Sequence, residues 1–411
     1  MSEAQDESNW DNRYATRSSR MQASEIRELL KLLDQPDIIS FAGGIPDPHL
    51  FAAEDMRNAY SDVLSKNANA ALQYSTSEGY EPLRHWLTDY MSKIGVKCTP
   101  DNIMIVSGSQ QALDYCGKLF LSPNDTALVT RPAYLGALQA FNAYEAHYDF
   151  ISPESGNRTP QSYKDEAAKA GGRPKFAYLT PDFANPTGDT ISREARMKLL
   201  ALADELDIVV LEDSAYQGLR YSGEHVPPII SLDLERNGGD IEKIRTLYSG
   251  SFSKTVTPGL RLGWICGPKE VIRKLVLIKQ AADLHTPTIN QMVMYQVVSN
   301  IFDKQVDKIR KAYHHRRDQM LAALEKYMPA SASWTKPEGG MFIWLTVKEG
   351  LDSKELLAKS LETERVAFVP GKAFFADGSG ANTMRLSYSL ASDEEIDQGI
   401  MRLARLIKSY E

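Results

Sequence analysis

Ser249-Gly250-Ser251-Phe252-Ser253-Lys254-Thr255-Val256-Thr257-Pro258-Gly259-Leu260-Arg261-Leu262-Gly263-Trp264 joins two strand-like runs, 245–248 before it and 262–266 after it. Small hydroxyl residues and glycines enclose Lys254, whereas most lysines decorate helices and loop tips. A lysine drawn partly out of water has a lowered pKa, and its neutral amine becomes available as a nucleophile. Ser251, Ser253 and Arg261 would supply donors for an anion beside it. An amine next to a held anion is what a phosphorylated carbonyl cofactor requires, pyridoxal 5′-phosphate above all. A polar loop carrying a solvated lysine is the plain alternative.

Outward from this stretch, residues 100–290 alternate strand and helix. Strand-like runs fall at 102–106, 126–130, 176–180, 208–212, 245–248 and 262–266, with amphipathic helices at 110–120, 134–144, 193–205 and 269–282. Short apolar strands interleaved with helices predict an α/β fold with a mostly parallel sheet covered on both faces. In such sheets ligands bind beyond the carboxyl ends of the strands. The first strand delivers Ser107-Gly108-Ser109-Gln110 to a helix start, a natural anion site, although Ser109 would also serve as a simple cap. The second delivers Tyr134, able to stack on a planar ring, and the third the turn Asn185-Pro186-Thr187-Gly188. The fourth brings out Asp213, a carboxylate that is costly to enclose without a positive partner.

Before this region, 24–33 has helical spacing with Arg27 on its polar side, and 38–48 reads as a short strand entering the turn at Gly43 and Gly44. Paired glycines suggest backbone passing close to a ligand, or only a turn. After residue 290 a long helix leads to strands at 341–347, 366–369 and 383–389 and helices at 353–361 and 393–407. The expected division is an N-terminal arm with a mobile helix packing on the small domain (1–50), a large domain (51–295) and a small C-terminal α+β domain (296–411).

The formal net charge of −7 over 411 residues argues against a nucleic-acid partner. No apolar run approaches a membrane span. Cys98, Cys116 and Cys266 are scattered, without metal-ligand spacing, which fits a reduced cytoplasmic setting and no metal. The acidic start Met1-Ser2-Glu3-Ala4-Gln5-Asp6 is unlike a secretory or transit peptide.

Gly108-Ser109-Gln110, Asn185-Pro186-Thr187-Gly188, Asp213-Ser214-Ala215-Tyr216 and Ser251-Phe252-Ser253-Lys254 with Arg261 stand in one order and spacing. In that combination the chain resembles the fold type I pyridoxal phosphate enzymes, specifically the class I/II aminotransferases, and within them the 2-aminoadipate/kynurenine-type group. The resemblance runs from the segment 24–30 to Met384-Arg385-Leu386-Ser387-Tyr388. It implies Lys254 as the Schiff-base lysine, Asp213 as partner of the pyridinium nitrogen, and Tyr216 and Asn185 as donors to the ring's phenolate oxygen. It further implies Tyr134 as the stacking aromatic and Ser109, Gln110, Ser251, Ser253 and Arg261 as the phosphate cup. Arg385 would clamp the substrate α-carboxylate with help from Asn185 and Gly44, and Arg27, or else Arg20, would meet a distal carboxylate. The resemblance also implies a homodimer in which Tyr74 reaches the partner's phosphate.

Two positions depart from the pattern: Ala184 stands where glutamine is frequent, and Ser214 where a second aspartate is frequent. They bear on sub-specificity. The expected activity is exchange of an amino group between an L-amino acid and a 2-oxo acid such as 2-oxoglutarate. A lyase or decarboxylase of the same fold is the first alternative. A ligand sensor is the second, although it would need an N-terminal DNA-binding domain that the roughly 35 residues before the expected core are not expected to supply. Ser251-Phe252-Ser253-Lys254 also spells S-x-x-K, but the companion Ser-Asp-Asn and Lys-Thr-Gly motifs of serine–lysine acylases do not occur.

Overall fold

The computed structural model describes residues 10–21 and 37–410. Seven strands form the main sheet: β1 Ile103–Val106, β2 Thr126–Val129, β3 His147–Phe150, β4 Pro174–Leu179, β5 Val209–Asp213, β6 Thr246–Ser251 and β7 Gly263–Cys266. Their spatial order is β1-β7-β6-β5-β4-β2-β3. Strands β3, β2, β4, β5 and β6 run parallel, and β7 is antiparallel to both β6 and β1. The four helices expected here are present, shifted by up to two residues at their ends, as Ser109–Phe120, Leu135–Asn142, Arg193–Leu206 and Lys269–Ala282, and Ala53–Ala71, Glu81–Lys93, Pro160–Lys169 and Ile229–Arg236 join them without having been expected.

Alternation along β1 shows why both faces are covered. Ile103 and Ile105 pack with helices Ala53–Ala71, Glu81–Lys93 and the start of Thr288–Tyr327. Met104 and Val106 pack with Ser109–Phe120, Leu135–Asn142 and Lys269–Ala282. All four residues of β1 are buried, the pattern of a strand covered on both sides. Strand β3, at the sheet edge, carries three half-buried residues out of four and gives no apolar run in sequence.

A second, antiparallel sheet brings Phe342–Thr346 between Ser333–Trp334 and Thr383–Ser387, with Val369–Pro370 at the outer side of Thr383–Ser387. Ile39–Ser40 pairs in parallel with Val366–Ala367, and Phe41 and Ala42 enter the core beneath that sheet. The helix Thr288–Tyr327 runs forty residues without a break and crosses residue 295. Val293 and Met294 lie in one core and Ile309, Tyr313 and Met320 in the other. Among the described residues no helix is long and apolar enough to cross a membrane.

One buried ion pair fixes the loop between β4 and helix Arg193–Leu206. Arg196, fully buried, donates to the carbonyls of Pro181, Ile191 and Pro227 and, at 2.8 Å, to Asp182 Oδ1. Replacing it leaves a carboxylate that is itself 2 % exposed with only the longer contact to Arg220, 3.6 Å from its Oδ1. Arg196→Met should cost about 3–5 kcal/mol of unfolding free energy, read from urea denaturation against the wild-type chain.

Candidate active site

The carboxyl ends of the parallel strands and the edge of the second sheet enclose a cavity of about 1300 Å³. Strand β5 ends at Asp213, which lines it together with Tyr216 just beyond. Strand β6 ends at Ser251, and the connection to β7 carries Ser253, Lys254 and Arg261 into it. The pairs Gly250–Trp264 and Ser251–Gly263 close the base of this connection, so Lys254 hangs from a loop whose two ends are hydrogen-bonded together. Helix Ser109–Phe120 contributes Ser109 and Gln110; the loop before Leu135–Asn142 contributes Tyr134; the segment after β4 contributes Asn185; Arg385 comes from the second sheet.

Lys254 is half-buried and its Nζ donates to the Gly44 carbonyl at 3.0 Å. Burial lowers its pKa to about 8, and the charges of Arg385 and Arg261 push the same way. Asp213 is 4 % exposed, and burial pushes its carboxyl up to about 6 despite hydrogen bonds from the Tyr178 hydroxyl (2.9 Å) and the Ala215 N–H. Its other oxygen, Oδ1, is buried with no hydrogen-bond partner. Tyr216, 7 % exposed, is held well above the usual phenol range by burial.

Arg385 is 2 % exposed. Nη1 donates to Asn185 Oδ1 and Nη2 to the Ala42 carbonyl, both at 2.8 Å, and the guanidinium lies 4.3 Å from the Phe342 ring centroid. Its Nε has no partner, and no carboxylate among the described residues forms an ion pair with it. Burial lowers its pKa to about 10. Hydrogen bonds hold its direction and leave its charge uncompensated, which makes it an anion site. Among the described residues, five cationic side chains (Arg20, Lys254, Arg261, Lys372 and Arg385) and a single carboxylate, Asp213, line the cavity.

The helix start is shaped by space. Gly108, not Ser109, holds the cap position, at φ +82°, and a Cβ there would lie 2.3 Å from Arg261 Nη2. Ser109 is therefore the first helical residue, and Arg261 packs across the turn. Gln110 turns its amide to the Gly136 carbonyl at 2.7 Å, and Ser251 Oγ accepts the Ser253 N–H at 3.1 Å. Tyr134 folds over Gly136, where a Cβ would meet its ring at 2.5 Å.

One expected residue stands apart from this constellation. Tyr74 does not line the cavity; it is 79 % exposed with its ring edge-on to His285. Arg27 lies outside the described residues. Arg20 does line the cavity, from the short helix Thr16–Arg20, while donating to the Ala146 carbonyl at 3.0 Å. Sequence reading missed Tyr178 and Lys372. A tyrosine inside an apolar strand reads as core, and only the β4–β5 register, Tyr178 opposite Leu211, brings its hydroxyl to Asp213.

The residues fit pyridoxal 5′-phosphate. A buried carboxylate oxygen without a partner suits a protonated ring nitrogen, a lysine of lowered pKa suits a carbonyl, and the Gly108–Arg261 turn offers donors to a phosphate. Comparison with known proteins defines the class. The family profile "Aminotransferase class I and II" matches residues 37–403, and the chain belongs to that family. It is 43 % identical over 404 residues to an aromatic-amino-acid aminotransferase of Thermococcus litoralis, covering 97 % of this chain and 95 % of the relative. It is 40 % identical over 399 residues to a 2-aminoadipate transaminase of Thermus thermophilus, covering 97 % of each. The crystal structure of a Pyrococcus horikoshii kynurenine aminotransferase, in complex with PMP, superposes with a TM-score of 0.90 at 43 % identity and 98 % coverage of both chains.

A carboxyl that holds its proton to about pH 6 favours folding below the usual carboxylate range and loses that contribution as pH rises through 6. Glu212, buried beside it and raised to about 7, acts in the same direction. Asp213→Asn should therefore flatten the fall in stability of the cofactor-free protein between about pH 4 and 6 by roughly 2 kcal/mol, read from denaturation midpoints across that range.

Proposed function

We propose that this aminotransferase exchanges the amino group of 2-aminoadipate, glutamate and larger aromatic or branched-chain L-amino acids with a 2-oxo acid such as 2-oxoglutarate. The cofactor is pyridoxal 5′-phosphate. The observation that carries the reading is the meeting, in one cavity, of Lys254, the unpartnered oxygen of Asp213 and the carboxylate-free Arg385. The mixture of substrates is supported by relatives named for aromatic amino acids and for 2-aminoadipate.

When bound, the cofactor supplies an electron sink for the carbanion at the substrate's α-carbon. Asp213, held by the Tyr178 hydroxyl, would keep the ring nitrogen protonated. Ser109, Gln110, Ser251, Ser253 and Arg261 would hold the phosphate, Tyr134 the ring, and Tyr216 and Asn185 its phenolate oxygen. Arg385 clamps the α-carboxylate as a bidentate fork, with Asn185 and the Gly44 backbone beside it. Lys254, its pKa lowered to about 8, would take the proton from the substrate's α-carbon, and the cofactor when bound would supply the carbon to which that proton is passed. The expected large (51–295) and small (296–411) domains then form the two walls of the site; of the expected arm (1–50), Ile39–Ser40 pairs with the small one, whereas Thr16 and Arg20 bond to Glu145 and Ala146 of the large one.

The enzyme is further proposed to work as a cytoplasmic homodimer. Tyr74 supports this, since its ring is exposed and away from its own cavity, free to reach that of a second copy. The excess of cationic groups supports dicarboxylic substrates, with Arg27 or Arg20 meeting the distal carboxylate.

Lys254→Ala should lower turnover at least about a thousandfold in a folded protein. Borohydride reduction of the wild-type enzyme followed by peptide mapping should place the label on residue 254, and a label elsewhere refutes the assignment. Replacing the distal-carboxylate arginine, tested as Arg27→Ala and Arg20→Ala separately, should reduce kcat/KM for 2-aminoadipate about tenfold while phenylalanine is little affected. Equal loss for both substrates in each variant would remove the distal-carboxylate role.

A further inference from the structure

Behind the start of helix Ser109–Phe120 lies a polar cluster that the chemistry above does not use. Lys279, on helix Lys269–Ala282, is fully buried. Its ammonium donates to Gln111 Oε1 at 2.8 Å and to the two carboxylate oxygens of Asp283 at 2.9 and 3.0 Å. The same Gln111 Oε1 accepts the Ser107 N–H at 2.9 Å, and Gln111 Nε2 donates to Asp283 Oδ2 at 2.8 Å. Ser107 Oγ lies 3.4 Å from Asp283 Oδ2 and 3.3 Å from Thr286 Oγ1. One amide carbonyl thus joins a buried ammonium to the backbone of the residue that opens the turn into the helix.

Burying a lysine is costly, and an apolar side chain of similar volume would serve stability as well. What the lysine adds is directional. It fixes Gln111, Gln111 fixes the Ser107 N–H, and Ser107 leads into Gly108, whose positive φ sets the first helical N–H groups. Ser109 and Gln110 line the cavity on the other side of that turn. Donors held in place before an anion arrives bind it more tightly than donors that must first be ordered.

We infer that Lys279, acting through Gln111 on Ser107, is a positioning residue that holds the Ser107-Gly108-Ser109 turn in the conformation receiving the cofactor's phosphate. The inference rests on the assignment of pyridoxal phosphate to this cavity. The test titrates full-length, cofactor-free protein with pyridoxal 5′-phosphate and, separately, with pyridoxal, which lacks the phosphate. Binding is followed by protein fluorescence, with a thermal melt of each variant alongside. Lys279→Met should weaken pyridoxal phosphate about tenfold and leave pyridoxal within about twofold. Gln111→Met breaks the same carbonyl link while leaving the Lys279–Asp283 pair intact, and should show the same selective loss should the lysine variant fail to fold. Equal weakening of both ligands, or unchanged affinity for pyridoxal phosphate in a folded variant, overturns the positioning role. Wild-type protein that binds pyridoxal phosphate no better than pyridoxal would instead overturn the phosphate site itself, and this inference with it.

Discussion

A guanidinium held at 2 % exposure without a carboxylate beside it is the constraint around which this molecule is arranged. Enclosing such a charge is expensive, and the usual answer is an acidic partner. Here Asn185, the Ala42 carbonyl and the ring of Phe342 stand in the partner's place. Each comes from a different part of the chain: the loop after β4, the segment after Ile39–Ser40, and the strand Phe342–Thr346. The chain must bring two distant stretches to Arg385 before its guanidinium has both of its hydrogen bonds. What remains unbalanced is the charge, and that imbalance is what a carboxylate substrate corrects.

Asp213 mirrors it. One oxygen is tied to Tyr178 and the other has no partner, so the carboxyl is destabilised as an anion until a cation meets it. Lys254, between the two, is the third member, its amine brought toward neutrality by burial and by two nearby arginines. A cavity lined, among the described residues, by five cations and one carboxylate is poor for folding and suited to binding. The rest of the structure offsets the cost with a sheet covered on both faces.

Local chemistry was legible in the sequence wherever the relevant partners are neighbours in the chain. Strands buried on both faces appear as short apolar runs, so β1, β2, β4, β5 and β7 were found within a residue or two, and β6 was found at its start but runs on to Ser251. The turns carrying Ser109, Asn185, Asp213 and Lys254 were found because each immediately follows such a run. Edge strand β3 escaped because His147, Tyr148 and Phe150 are only half-buried and leave no periodic signal. The capping role was assigned to Ser109 as the residue type most suited to it, but Gly108 holds that position, at a φ of +82° that favours glycine and with the distant Arg261 against it. The links from Tyr178 to Asp213, Asn185 to Arg385 and Lys279 to Gln111 depend on register and packing, which no spacing within one segment encodes.

The forty-residue helix Thr288–Tyr327 supplies side chains to both cores. A break anywhere in its middle would leave each half of the chain with an open apolar wall, since Val293 and Met294 belong to one interior and Ile309, Tyr313 and Met320 to the other. The two parts of this protein therefore resist being cut apart into independent pieces. A hinge between them has to work by tilting around a shared spine, because no flexible tether separates them.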